Sequence, residues 1–368
     1  MDNEVFYHLA LKHVPHIGDI QIGVLLQYLG DPSLVFKSGI STLEKIPGIG
    51  KVRAEAIKKF NNHKRIEQEL TFVSKNKIEV LVKHQEGYPK RLENCDDAPH
   101  LLFFKGSRSL NQQRVVAIVG TRAPTDYGKE RVASLIETLV EVDVLVVSGL
   151  AYGIDTLVHR DCIKYAVKTV GVLGHGLDQL YPSSNRQLAN SMLQNGGLLT
   201  EFMHQTKPDR QNFPKRNRIV AGMVDAVVVV ESGEKGGSLI TAEIANSYNK
   251  DVFAYPGRTT DLGSMGCNQL IRTHRANLIT SGLEFIEFMD WSPVLQKKKA
   301  IQAELFIALE GKEKYIYDLV RTREPVAIDE LIVESVFKPS EVASILFSLE
   351  MRGLILSRPG KLYAAVYK

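Results

Sequence analysis

The chain has 368 residues, 44% of them hydrophobic and 24% charged, and a formal net charge of +4. That length fits two or three domains with real cores, and so small a net charge means that any anion site must come from local clustering of cations. No apolar run approaches transmembrane length, and Met1-Asp2-Asn3-Glu4 is not the start of a signal peptide. Cys95, Cys162 and Cys267 are widely spaced and odd in number, so they read as free thiols in a reducing compartment; no CxxC or HxxxH pair supports a metal site.

In chain order, residues 4–85 read as helical, a domain set over 1–85. Two short punctuations recur in it, Val14-Pro15-His16-Ile17-Gly18 and Ile46-Pro47-Gly48-Ile49-Gly50-Lys51, each leading into an amphipathic stretch. Aliphatic-Pro-x-Ile-Gly between helices has the look of a helix-hairpin-helix, in which glycine lets backbone amides approach a DNA phosphate. The competing reading is a plain helical hairpin that only packs, and packing outweighs DNA contact here.

Residues 86–290 form the next expected domain, with one strand near Pro99–Gly106 ahead of a main sheet. Apolar, β-branched runs then alternate with helical patterns. Strands are expected at 115–119, 144–148, 169–173, 198–201, 226–231, 251–255 and 277–280, and helices near 127–140, 153–166, 184–195, 214–223, 237–249 and 266–274. Continuous apolar strands alternating with helices imply a mostly parallel sheet covered on both faces, an α/β, doubly wound, Rossmann-like domain.

Several strand ends in this domain open into glycine-bearing polar loops: Gly120-Thr121-Arg122, Ser148-Gly149-Leu150, Gly174-His175-Gly176 and Gly236-Gly237-Ser238. In an open parallel sheet, ligands bind outside the carboxyl ends of the strands. The first of these loops, leading into a helix, is the unit that offers backbone N–H groups to an anion. Gly171-x-x-Gly174-x-Gly176 reverses the GxGxxG spacing, so no nicotinamide or flavin cofactor is expected. His159 and His175 read as helix-surface and turn residues.

The stretch Thr206–Arg218 sets five cations, Lys207, Arg210, Lys215, Arg216 and Arg218, against Asp209, with Phe213 and the amides of Gln211, Asn212 and Asn217 among them. Guanidinium forks suit phosphates, an aromatic face suits an unpaired base, and amides suit base edges. The bland alternative is a solvated basic loop. Arg122 and this stretch should share one crevice.

Residues 286–300, ending in Gln296-Lys297-Lys298-Lys299, read as a polar linker. Beyond it, three helices (Lys314–Arg323, Ile328–Phe337, Ser340–Met351) and two strands (Gly353–Leu356, Lys361–Val366) joined at Arg358-Pro359-Gly360 give a winged-helix layout over 300–368. Its third helix is poor in cations, which favours protein docking or weak nucleic-acid contact over groove reading.

Together these motifs resemble the DNA-processing protein A family, DprA/Smf, over essentially the whole chain. Gly120–Gly128 matches GSRxxTxYG with Thr121 for Ser; Ser148–Asp155 matches SGLAxGID; Tyr181–Asn185 matches YPxxN. Phe213–Ile219 matches FPxRNRxI, Gly236–Ala242 resembles SGSLITA with Gly for the first Ser, and Gly266–Ile271 resembles GxNxLI. Thr273-His274-Arg275-Ala276 departs from a small SGA. The resemblance implies a non-enzymatic, cytoplasmic bacterial protein that binds single-stranded DNA in a basic pocket, protects incoming DNA in natural transformation and loads the RecA recombinase. It also implies a homodimer formed through the Rossmann-like domain. Carried over by position, Arg122, Arg210, Lys215, Arg216 and Arg218 would hold phosphates. Phe213 would stack on bases, Asn217 would bond a base edge or backbone, and Gly120, Thr121, Ser148 and Gly149 would complete the DNA-binding set. Two other readings are a phosphoribohydrolase of the lysine-decarboxylase-like type, whose PGGxGTxxE spacing Gly236–Glu243 does not keep, and a nucleotide-sensing module.

Overall fold

The computed structural model describes residues 3–291, 309, 311–323, 325–352, 354–358 and 360–365. The chain divides into two compact units, Met1–Leu295 and Gln296–Lys368.

The first unit opens with six helices: α1 (Asn3–His13), α2 (Asp19–Leu29), α3 (Pro32–Lys37), α4 (Ile40–Glu44), α5 (Gly50–Lys58) and α6 (His63–Lys75). Leu11, Val14, Ile22, Leu25, Leu43, Ile49 and Ile57 form a core of their own. Strand β1 (Glu79–Val82) follows, within the stretch expected to be helical. Its Val80-Leu81-Val82 run is too short for a helical period, and it pairs antiparallel with β2 (Leu101–Gly106) at the edge of the main sheet. A one-turn helix, α7 (Lys90–Glu93), lies between them. Leu9, Ala10, Ile66 and Val73 from the helices share a second apolar cluster with Val82, Leu101, Phe103 and Met203, so helices and sheet are joined by a common core.

Strand and helix then alternate as the hydrophobic pattern requires: β3 (Val115–Val119), α8 (Asp126–Leu139), β4 (Leu145–Ser148), α9 (Ile154–Lys164), β5 (Lys168–Leu173), α10 (Arg186–Asn195), β6 (Gly196–Thr200), α11 (Asn212–Gly222), β7 (Ala226–Val229), α12 (Gly237–Ser247), β8 (Asp251–Ala254), α13 (Met265–Arg272), β9 (Asn277–Leu278) and α14 (Gly282–Phe288). The strands lie in the order β1-β2-β6-β5-β4-β3-β7-β8-β9, parallel from β6 to β9. Strand β3 shows why these segments read as unbroken apolar runs. Val115, Ala117 and Val119 face a cluster with Ile219 of α11 and Ala242 of α12, while Val116 and Ile118 face Val132 of α8 and Val158 of α9. Side chains alternate in direction along a strand, and here both directions lead to helices.

After β3 the chain runs outward through β4, β5 and β6, then returns to place β7 on the other side of β3. That reversal opens a crevice above the carboxyl ends of β3 and β7, where ligands of doubly wound sheets sit.

The second unit contains α15 (Gly311–Thr322), β10 (Val326–Ala327), α16 (Ile328–Ser335), α17 (Pro339–Met351), β11 (Ile355–Arg358) and β12 (Leu362–Ala365). The strands form a three-stranded sheet in the order β10-β12-β11 around a core of Ile316, Val320, Leu331, Leu346 and Ile355. The two-residue strand β10 was not expected from the sequence; only its pairing with β12 defines it. Of the expected linker, residues 292–300 lie outside the described residues, as do Gly353, Pro359 and Val366.

Candidate nucleic-acid interface

A cavity of about 710 Å³ occupies the crevice. Its walls come from the segments after β3 (Gly120, Thr121, Arg122), after β4 (Gly149, Ala151, Asp155), from the start of α11 (Arg210, Phe213, Asn217) and from the loop into α12 (Lys235, Gly236, Gly237, Ser238). Arg122, Arg210, Arg216 and Lys235 are its cations.

The rim carries exposed charge beside aromatic rings. The Arg122 guanidinium lies 5.6 Å from the centroid of the Phe213 ring. Tyr181 stands 6.0 Å from Phe213 at 45°, and Tyr152 stands 6.3 Å from Tyr181 at 81°. Phe213 is half-buried and lies over Gly174, where a β-carbon would come within 3.1 Å of the ring. Tyr152 and Tyr181 are 47% and 41% exposed, which leaves ring surface for a ligand. Three rings from three chain segments thus stand in series next to cations. Neither tyrosine was expected to take part, although Tyr181 opens the Tyr-Pro-Ser-Ser-Asn segment and Tyr152 follows Ser-Gly-Leu-Ala, both at carboxyl ends of strands.

The floor is built differently. Arg216 is 5% exposed, and its Nη1 donates to the carbonyls of Gly149, at 2.6 Å, and Val172. Its Nε donates to Asn217 Oδ1 at 3.1 Å. Burial lowers the pKa of this guanidinium and Asp155 pulls it back; burial raises that of Asp155, and Arg216 opposes it. The Asp155 carboxylate also accepts from the N–H groups of Gly149 (3.1 Å) and Ala151 (3.3 Å). Gly149 is bare because a β-carbon there would lie 2.2 Å from Arg216 Nη1. Arg216 therefore braces the ends of β4 and β5 and commits two of its donors to the protein.

Three expected site residues lie elsewhere in role or place. Arg218 does not line the cavity: its Nη2 donates to Glu201 at 2.6 Å and to Asp19 at 3.3 Å. Lys12 completes this four-charge cluster, 3.4 Å from Asp19, and the His100 N–H donates to Asp19 at 2.9 Å. The reason is helical phase. Successive residues turn by about 100°, so Arg216 and Arg218 point to nearly opposite sides of α11. Ser148 is fully buried and donates to the Ile118 carbonyl at 2.7 Å, tying β4 to β3. Lys215 is exposed on α11 but is not part of the cavity wall.

The helix start expected to receive an anion is also filled from within. The Thr125 side chain caps α8 by accepting from the Gly128 N–H at 3.3 Å, and the buried Glu231 carboxylate accepts from the Thr125 N–H at 3.0 Å. The glycine-rich start of α12, by contrast, faces the cavity. His159 and His175 are buried rather than superficial. Burial holds the His159 pKa at about 3, and its Nδ1 meets Thr169 Oγ1 at 2.7 Å. His175 Nε2 accepts from the Tyr181 N–H at 3.2 Å and so helps seat the loop that carries Tyr181.

Residues 79–290 match the family described as DNA recombination-mediator protein A, and residues 307–361 match the DprA winged helix domain. The chain belongs to the DprA/Smf family. Protein Smf of a Synechocystis strain is 31% identical over 98% of this chain and 99% of its own length. Among solved structures, DNA processing protein A of Streptococcus pneumoniae superposes with a TM-score of 0.67, at 32% identity, over 78% of this chain and 98% of that one. DNA processing protein A of Helicobacter pylori, whose structure addresses its single-stranded DNA binding mode, gives a TM-score of 0.54 at 30% identity over 58% of this chain and 97% of that one. The DprA/Smf assignment accounts for the doubly wound sheet and the C-terminal winged helix together. No helix among the described residues is long and apolar enough to cross a membrane.

Proposed function

We propose that this DprA/Smf member binds single-stranded DNA in the cavity at the carboxyl ends of β3, β4 and β7. The observation that carries this reading is the series Tyr152, Tyr181 and Phe213 beside Arg122. Stacking needs an exposed base face, which a single strand offers and a duplex conceals, and nearby guanidinium groups hold the phosphates between stacked bases. Arg122, Arg210 and Lys235 take the backbone; Asn217, Gly120, Thr121 and the start of α12 provide polar edges. Arg216 and Gly149 hold the floor in shape.

On this reading the protein is a recombination mediator and not an enzyme. The carboxylate in the cavity wall, Asp155, is engaged by two backbone N–H groups and faces a buried guanidinium, which is poor provision for acid–base work. In its fuller form the proposal includes loading of the RecA recombinase, protection of incoming DNA in transformation, a homodimer through the sheet-bearing domain and a cytoplasmic setting. The family assignment supports these.

The test is a titration of the full chain with single- and double-stranded oligonucleotides across a salt series. Tighter binding of the single strand, weakened by Arg122→Ala and by Phe213→Ala, is the expected result. Equal binding of both forms, or no response to either substitution, overturns the reading. Adding RecA to strands already bound tests the mediator role through the rate of filament growth.

A further inference from the structure

Val14-Pro15-His16-Ile17-Gly18-Asp19-Ile20 and Ile46-Pro47-Gly48-Ile49-Gly50-Lys51-Val52 repeat one pattern. The fold gives the two copies a like setting and a like course up to the closing glycine, where they part: Gly18 is extended, with φ of -105°, and its N–H donates to Gln21 Oε1 at 3.1 Å, while Gly50 is left-handed, with φ of 60°. The first joins α1 to α2 and the second joins α4 to α5. In each, the two aliphatic anchors are buried: Val14 and Ile17 in the first, Ile46 and Ile49 in the second. In each, the middle residue is left-handed, with φ of 65° at His16 and 78° at Gly48. In each, the closing aliphatic residue is turned out to solvent, Ile20 at 60% and Val52 at 68%.

Arg53 binds the two turns to one another. Its Nε donates to the His16 carbonyl at 3.0 Å and its Nη1 to the Gly48 carbonyl at 2.7 Å. Two exposed turns reached by one guanidinium stand side by side.

We propose that these paired turns are a second DNA site, distinct from the single-strand cavity, and that its ligand is duplex DNA gripped by both backbones across the minor groove. The second turn is the stronger half. Space around Gly48 and Gly50 is open, with no atom within 4 Å of where a β-carbon would stand. Their N–H groups have no acceptor among the described residues, so a phosphate can come up to the backbone. Lys45 and Lys51 flank this turn, exposed and without ion-pair partners among the described residues. At the first turn, Asp19 would repel a phosphate if it were free, but Lys12 and Arg218 neutralise it.

The choice of duplex over single strand follows from what the turns lack and what they repeat. The second turn carries no aromatic ring, and the first offers only the His16 imidazole, with no phenyl, phenol or indole face for an unpaired base to stack on. Two like elements close together match two like backbones, which the minor groove brings within about 6 Å of one another. The exposed Ile20 and Val52 can then lie against the groove as apolar contacts.

The test uses the full chain with Lys51→Glu and Val52→Asp combined, both exposed positions, and the wild type for comparison. The probes are one short labelled duplex and one single strand of the same length. Duplex affinity is expected to fall about tenfold, with a salt slope flatter by roughly 0.9 for each phosphate no longer neutralised, while single-strand affinity and melting temperature hold. Arg122→Ala should do the converse, weakening the single strand and sparing the duplex. Lys51→Arg should keep duplex binding. If the double variant melts early, Lys51→Glu alone serves, since that side chain is exposed. Failure of the wild type to bind duplex, unchanged duplex affinity in the variant, or an equal loss for both probes overturns the proposal; the last would place the hairpins on the single-strand path. Loss of single-strand preference in the wild type would instead count against the cavity and leave the hairpin result readable on its own.

Discussion

The rim and the floor of the cavity both use arginine, and they use it for opposite ends. Arg122 and Arg210 at the rim are exposed and have no hydrogen-bond or ion-pair partner among the described residues. Arg216 in the floor and Arg218 behind it are spoken for: one by the Gly149 and Val172 carbonyls, the other by Glu201 and Asp19. A cation in a DNA-binding protein is a phosphate ligand only if the fold leaves it without internal partners. Substitutions at these sites should therefore divide into those that move stability and those that move the salt dependence of binding.

The largest effect is expected from Arg216→Ala. It strands two buried carbonyls and leaves Asp155 without its compensating charge, at a cost of about 3 kcal/mol or more. Chemical denaturation should show it directly, and near-wild-type stability would break the distinction between floor and rim. Arg218→Ala should come next, at about 2 kcal/mol, because it leaves Glu201 and Asp19 facing only Lys12. Single-strand salt slope should not change in that variant; a flatter slope would make Arg218 a phosphate ligand after all.

The same cluster gives a pH dependence. Burial pushes the Asp19 carboxyl up, but Lys12, the His100 N–H and Arg218 outweigh it and hold it below the usual range. A depressed carboxyl contributes stability that is full above its unfolded pKa and is lost as pH falls through the folded one. Wild type should therefore lose more stability than Asp19→Asn on acidification below the usual carboxylate range, and parallel acid titrations of the two would refute the cluster's role.

Phe213→Ala should cost about 1–3 kcal/mol of single-strand binding with little change in salt slope, since stacking is not ionic. If the melting temperature falls and affinity holds, the ring serves the loop and not the ligand. Arg122→Ala sharpens the comparison from the other side. Stability should stay, and the log–log salt slope should flatten by roughly 0.7 for one single-strand phosphate left without its cation.

Much of this protein is written in local sequence. The β-branched runs from Val115 to Ala254 could be buried only by helices on both faces, so the doubly wound sheet and the ligand edge at its strand ends follow from periodicity and order. The motifs from Gly120 to Ile271 place the chain in its family before any tertiary neighbour is known. Arg122 and Gly149 were legible as cavity residues because each follows the carboxyl end of a strand; Phe213 and Asn217, on α11, were legible from the mix of cations, ring and amides in their stretch.

Only the tertiary structure decided which cations are free. In sequence, Lys215, Arg216 and Arg218 form one basic run; on α11 they point in different directions, and Arg218 is claimed by Glu201, 17 residues upstream, and by Asp19, 199 residues upstream. Glu231 fills the start of α8 from more than a hundred residues downstream, and Tyr181 reaches Phe213, and Tyr152 reaches Tyr181, from separate loops. Local pattern fixes which side chains exist at an edge. Helical phase and long-range charge pairing determine where each one points and whether it still has a hydrogen bond to give.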